Sequence, residues 1–364
     1  MTQDKPIPRS PLQLLLEKAI ARAGGWLPFD RFMALALYAP GLGYYASGSR
    51  KFGSMPSSGS DFVTAPEMTP LFGRALAVQV ADAMRATHTN EIWEFGAGTG
   101  ALALQLLAAL GDKVSRYTIV DLSGSLRERQ KHALAAYGER VQWVGELPER
   151  IDGVIVGNEV LDAMPVKLLA RMHGQWHERG VAVHDGALVF ADQPTDLRPP
   201  AQIAGGHDYL TEIHPQAEAF VRTLADRIGR GAAFFIDYGF GEGEYYHAQR
   251  ATGTLMCHRG HMADTDPLAD VGLKDITAHV NFSGIALAAQ EAGLAVLGYT
   301  TQARFLLNCG LLDGLAQATF ADRSAVQMLI QEHEMGELFK VLALHKGGFW
   351  DAAGFREGDR THTL

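Results

Sequence analysis

Glu94, Gly96, Gly98 and Gly100 stand together in the stretch EFGAGTG, and Asp121 follows one strand later. A glycine turn lets the backbone reverse tightly and approach a ligand, and a helix starting behind it offers unpaired N–H groups. Ile92, Trp93 and Phe95 read as the end of a buried strand, and Ala101 to Leu110 has helical spacing. Tyr117 to Val120 reads as the next strand, and the Asp121 carboxylate at its end suits the two hydroxyls of a ribose. This is the opening of a nucleotide-binding βαβ unit. The same residues satisfy the dinucleotide pattern G-x-G-x-x-G/A. Two features favour S-adenosylmethionine over nicotinamide: Glu94 would repel a pyrophosphate but suits a cation, and Gly100 completes a G-x-G-x-G spacing. An ordinary glycine turn in an α/β protein is the plain alternative.

A second group of chemically capable residues follows the short apolar strand Gly153–Gly157, where the chain reads Asn158-Glu159-Val160-Leu161-Asp162. Acids at the carboxyl end of a central parallel strand sit where open α/β sheets bind ligands. The competing role for Asn158 and Asp162 is to cap turns and a following helix. Val141 to Val144 ends in Gly145-Glu146, near the expected adenine end of such a site. Between Gly41 and Gly73 glycine, serine and proline dominate, yet Tyr44, Tyr45, Phe52, Asp61, Phe62, Glu67 and Phe72 occur there. A loop of that length and content reads as a lid or binding loop, against a surface loop pinned by its aromatics.

The elements that must position these groups are legible around them. Ser10-Pro11 opens a helix that Gly24-Gly25 ends, Phe29 to Tyr38 is a second, and Pro70 to Arg85 a third. The first two are expected to pack over the main sheet. Leu126 to Tyr137 reads as a helix with a solvated face. From Lys167 to Pro200 short alternating segments, with turns at Gly174 and Asp185-Gly186, predict inserted antiparallel hairpins. Gln216 to Ile228 and Phe282 to Ala292 read as helices and Phe305 to Gln331 as mostly helical. Gly231 to Tyr238, Leu294 to Thr300 and Leu338 to His345 read as strands, and the polar tail from Trp350 to Leu364 as frayed.

The whole chain narrows the function further. Its 364 residues are 47% hydrophobic and 20% charged, as expected for one main globular domain with sizeable insertions or a second lobe. A net charge of −9 argues against a nucleic-acid backbone as the main partner. Two cysteines, Cys257 and Cys309, predict neither a disulfide framework nor a metal knot and fit a reducing compartment. The N-terminal apolar stretch is interrupted by Glu17 and Lys18, and no run of about 18 apolar residues predicts a membrane span. The expected location is cytoplasmic. His173, His177 and His184 read as surface strand residues. His258, His261 and His279, with Asp264 and Asp275, match no zinc or iron spacing, so no metal is expected.

Several stretches together resemble the MidA-type S-adenosylmethionine-dependent methyltransferases, bacterial and mitochondrial proteins whose mitochondrial members serve complex I assembly. They are Gly59 to Glu67, PLFG at Pro70, EFGAGTGALA at Glu94, SLRERQ at Ser125 and NEVLDAMPV at Asn158. IDYG at Ile236, GTL at Gly253 and DITAHVNF at Asp275 continue the set. Gln105 stands where such proteins often carry Asp, and Asp121-Leu122-Ser123 where they often carry Glu-Val-Ser.

The resemblance implies an α/β, Rossmann-like, seven-stranded class I methyltransferase sheet. It implies a helical N-terminal segment with a binding loop (1–85), a core (86–166, 216–240, 285–350) and an inserted β-rich substrate lobe (167–215, 241–284). Residues matching the family's cofactor site are Thr64, Pro66, Glu94, Gly96, Ala97, Gly98, Gly100, Asp121, Leu122, Gly145, Glu146 and Asn158. It implies methyl transfer to protein, since mitochondrial relatives modify an arginine of a respiratory complex I subunit. Glu159 and Asp162, with Glu67 from the loop, are then the candidates to hold a guanidinium and accept its proton. A small-molecule methyltransferase and a cofactor-binding assembly chaperone are the alternatives; monomer and homodimer are both compatible with the sequence.

Overall fold

The computed structural model describes residues 9–47, 63–121 and 124–364. Its main sheet holds β1 (Glu91–Phe95), β2 (Arg116–Val120), β3 (Val141–Val144), β4 (Ile151–Asn158), β5 (Ile228–Phe240), β6 (Ala295–Thr301) and β7 (Phe339–Lys346). Their spatial order is β3-β2-β1-β4-β5-β7-β6, and Val280–Asn281 adds a two-residue strand beside the end of β5. The first five strands are parallel, while β7 runs antiparallel to both its neighbours. The apolar runs are buried on both faces, as a parallel sheet requires.

Alternation along β1 sorts its side chains between two cores. Ile92 packs beneath the helices Pro70–Thr87 and Ala101–Leu110 with Phe72, Leu76, Leu106 and Phe234. Trp93 and Phe95 face the opposite layer, with Val221 of Pro215–Arg227 and Ile285 of Phe282–Glu291. The chain leaves β1 in one direction through β2 and β3, then returns to β4 on the other side. That reversal opens a crevice at the carboxyl ends of β1 and β4. Register brings those ends level: Phe95 pairs with Val120 and Gly157, and Asn158 with Ile236. Gly96, Asp121, Glu159 and Asp237 therefore emerge along one edge.

The inserted lobe is a five-stranded antiparallel sheet centred on Gln175–His184. Lys167–Met172 pairs with the first half of that strand, Trp26–Pro28 with the second, and Ala187–Pro194 along its other side. Both predicted hairpin turns form. His173-Gly174 has φ of 50° and 79°, and Asp185-Gly186 has 49° and 78°, the positive pair that a two-residue type I′ turn needs. A smaller sheet, Met262–Asp264, Met256–Arg259 and Asp275–Thr277, carries Asp275 toward the main sheet.

Two expectations are corrected. The helices Pro11–Arg22 and Phe29–Tyr38 pack on the lobe, not over the main sheet: Leu16, Phe29 and Phe32 share a core with Leu168, Val181, Cys257 and Ile276. The cause is Trp26–Pro28, which hydrogen-bonds into the lobe as a strand and ties both flanking helices to it. Helix Pro70–Thr87 is the long described helix of this region that covers the main sheet, with Ala65 joining the same core. The tail is not frayed either. Phe355 is buried against Phe305 and over Gly298, whose missing side chain makes room, and Thr300 donates to the Gly358 carbonyl. Asn308 donates to the Gly354 and Glu357 carbonyls, and Arg360 pairs with Glu337.

Candidate active site

The glycine turn after β1 adopts the conformation its composition demands. Gly96, Gly98 and Gly100 have φ of 63°, 51° and 86°, and a Cβ on Gly96 would lie 3.0 Å from Val160 of the facing turn. A side chain at Gly96 would be strained by its backbone and would crowd the cleft. Gly100 then starts Ala101–Leu110, leaving that helix's first N–H groups at the turn. Glu94, one strand position before the turn's approach, is buried and accepts a 2.7 Å hydrogen bond from the Tyr117 hydroxyl. Burial pushes its carboxyl up to about 8, against the pull of Tyr117 and with a smaller push from Asp121.

Gln130 ties the pieces together. Its buried amide donates to the Gly98 carbonyl at 3.0 Å and to Asp121 Oδ2 at 2.7 Å, and accepts from Trp143 Nε1 at 2.9 Å. The turn, the Asp121 carboxylate and β3 are thereby held in one frame. On the far side Gln105 donates to the Pro66 carbonyl at 2.6 Å and accepts from Gly73 N at 2.9 Å, fixing Thr64–Glu67 against the helix behind the turn. Thr64, Pro66, Ala97, Asp121 and Asn158 line the cleft with Glu94, Gly96 and Gly98. Gly100 sits behind it as helix cap. Gly145 and Glu146 follow β3 but do not line the cleft; Arg127 bridges there, donating to the Asp121 carbonyl at 2.7 Å and the Val144 carbonyl at 2.9 Å. Leu122 lies outside the described residues, as do Phe52, Asp61 and Phe62 of the loop.

The acidic turn after β4 is organised by a residue the sequence did not single out as functional. Asp237 Oδ2 accepts from the backbone N–H groups of Val160, Leu161 and Asp162 at 3.1, 2.9 and 3.3 Å. These bonds hold Glu159 at φ 54°, a left-handed conformation that a non-glycine residue adopts only where its surroundings enforce it. Burial pushes Glu159 up to about 8, reinforced by Asp162, with the Asn158 amide pulling against it. Burial raises Asp162 to about 6, while the Tyr238 hydroxyl and backbone N–H groups pull it down. Glu67 is raised by burial, with Thr99 opposing. Across the cleft the Tyr45 hydroxyl donates to Asp275 at 2.8 and 2.9 Å, and the Tyr38 hydroxyl donates to the Ala163 carbonyl at 2.8 Å.

These groups share one cleft of about 1190 Å³. Six carboxylates line it (Glu67, Glu94, Asp121, Glu159, Asp162 and Asp275), with no lysine or arginine among the described lining residues. Glu67 Oε2, Asn158 Oδ1 and Asp162 Oδ1 are buried there without a donor among the described residues. Buried acceptors of this kind call for donors from a ligand or water. S-adenosylmethionine fits the turn end: its ammonium and sulfonium suit the field of Glu94, its carboxylate the helix N-terminus, and its ribose Asp121. Among the described residues no group of three metal-ligating side chains comes together, and Cys257 and Cys309 are buried free thiols pushed up to about 12 by burial.

Gln130 and Asp237, which brace the cleft, and Tyr238 and Asp275, which line it, are residues that sequence patterns did not assign. Their signal lay in SLRERQ, IDYG and DITAHVNF, stretches noted for resemblance without roles.

A family model of S-adenosyl-L-methionine-dependent methyltransferases matches residues 75–300. A Burkholderia thailandensis protein with a crystal structure bound to S-adenosyl-homocysteine is 51% identical to this chain. It covers 99% of this chain and 100% of its own, with a TM-score of 0.93. The mitochondrial protein arginine methyltransferase NDUFAF7 homolog of Caenorhabditis elegans is 27% identical, over 89% of this chain and 84% of its own length. NDUFAF7 of Danio rerio is 27% identical over 93% and 87%. The match spans the acid-flanked glycine turn and the strand reversal that opens the cleft, and the chain therefore belongs to the S-adenosyl-L-methionine-dependent methyltransferase family, with S-adenosylmethionine as its cofactor.

Proposed function

We propose that this methyltransferase modifies an arginine side chain of a protein; a respiratory complex I subunit is the target class the family resemblance implies. The observation that carries the proposal is the cleft wall beyond the cofactor end: Glu67, Glu159, Asp162 and Asp275 line it, three buried acceptors lack a donor among the described residues, and no described lining residue is lysine or arginine. Such a wall attracts a cation that brings several N–H donors, which describes a guanidinium. The arginine methyltransferase relatives support the same class.

Bound S-adenosylmethionine supplies a methyl group on a sulfonium, which makes positioning the main demand on the protein. Glu159 and Asp162, on a turn fixed by Asp237, hold the guanidinium, and Glu67 closes the third side. Because a guanidinium and its methylated product carry the same charge, one proton must leave. Asp162, at about 6, is ionised at neutral pH and basic enough to take it. Glu159, at about 8, holds a proton in the empty cleft and releases it as the cation enters. Since the neighbouring acids titrate together, kcat/KM should rise with pH between about 6 and about 8.

Asp162→Asn and Glu159→Gln test the assignment. Each should lower kcat by roughly 10²- to 10⁴-fold while leaving S-adenosylhomocysteine binding largely intact by calorimetry. Unchanged turnover in both variants would remove the two acids from the reaction.

A further inference from the structure

We propose that Tyr38, braced by Tyr45, is the residue that makes this cleft prefer arginine to lysine. The proposal rests on the arginine reading above. Carboxylates alone discriminate poorly between the two, because an ammonium and a guanidinium each carry one positive charge and several donors. What differs is shape. A guanidinium is planar and weakly hydrated and lies flat on an aromatic face; an ammonium is compact and strongly hydrated.

The structure supplies a held aromatic face. Tyr38 ends the helix Phe29–Tyr38, and its ring stacks on Tyr45 with centroids 5.5 Å apart and 18° between planes. Tyr45 is anchored by its hydroxyl on Asp275 and by the buried Tyr44 ring, packed edge-on at 5.0 Å. The Tyr38 hydroxyl donates to the Ala163 carbonyl, next to Asp162, so the ring is tethered beside the acidic turn. With one side covered by Tyr45, Tyr38 is still 38% exposed and lines the cleft. The stacked pair is held at both ends, by the Ala163 carbonyl at Tyr38 and by Asp275 at Tyr45. It forms a flat wall beside the acids that hold the charge.

The probes are N-acetyl-arginine methylamide and N-acetyl-lysine methylamide, titrated by NMR into full-length protein saturated with S-adenosylhomocysteine. Wild type should bind the guanidinium probe about fivefold more tightly than the ammonium probe, the scale of a cation–π contact. Tyr38→Leu and Tyr38→Met should abolish the preference, and Tyr38→Phe, which keeps the ring, should retain most of it. S-adenosylhomocysteine affinity certifies that each variant is folded; the two aliphatic replacements guard against one failing. A preference that survives in either folded aliphatic variant overturns the role of Tyr38 and leaves the arginine reading standing. Equal binding of both probes by wild type overturns the selectivity itself. Binding of neither probe by wild type overturns the arginine reading and this proposal with it.

Discussion

Glu94 lines the cofactor end of the cleft, and its burial also bears on stability. The folded protein keeps the Glu94 proton up to about pH 8, whereas the unfolded chain releases it near 4.5. Across that window the unfolded state binds fewer protons, so stability falls as pH rises through it. Glu94→Gln should flatten this decline and raise the apo Tm at pH 8 by a few degrees, measured by calorimetric melting. The same variant should weaken S-adenosylmethionine binding, because glutamine cannot release a proton and ionise as the cation enters, as Glu94 can. Equal cofactor affinity in the two proteins would sever Glu94 from the ligand. The acid was legible in the sequence because its spacing to three glycines is local. Asp237 was not: it acts on Val160, Leu161 and Asp162, more than seventy residues earlier, and nothing near Asp237 announces that contact.

Among the elements, the glycine turn, the end of β2, the helix Gly124–Ala133 and β3 act as one unit because Gln130 of that helix bonds to Gly98, Asp121 and Trp143. Gln130→Ala leaves the Gly98 carbonyl, Asp121 and the Trp143 N–H short of a partner. It should destabilise the protein by about 1–3 kcal/mol and weaken S-adenosylhomocysteine binding, both accessible to calorimetry with and without ligand. Full ligand affinity in a destabilised variant would assign Gln130 to packing alone. A helix read as a solvated face thus turns Gln130 inward, which its charged neighbours masked. The hairpin turns were read correctly because type I′ geometry is decided by two adjacent residues. Trp26–Pro28 was missed as a strand because its partners lie 152 to 156 residues away in sequence, at Gly180 to Ala182.

For the whole molecule, two lobes meet over one cleft, and the ends of the chain stabilise different lobes. The N-terminal helices belong to the inserted sheet, and the tail closes the edge of the main sheet around Phe355. Phe355→Ala should cost about 3–5 kcal/mol in urea unfolding while sparing cofactor affinity, since Phe355 does not line the cleft. A polar tail gave no warning of this, because the groups that fix it, Asn308 and Glu337, belong to other elements. The parallel sheet and its cofactor end were legible from apolar runs that finish in glycines and acids.

Methyl transfer with site mapping decides whether arginine is the acceptor. Purified protein is incubated with S-adenosylmethionine carrying a labelled methyl group and a methyl-depleted protein extract, and products are mapped by mass spectrometry. Label should appear on arginine nitrogen, be lost in Asp162→Asn and rise with pH between about 6 and about 8. Label on lysine, on a carboxylate or on a small molecule, with arginine untouched, would contradict it.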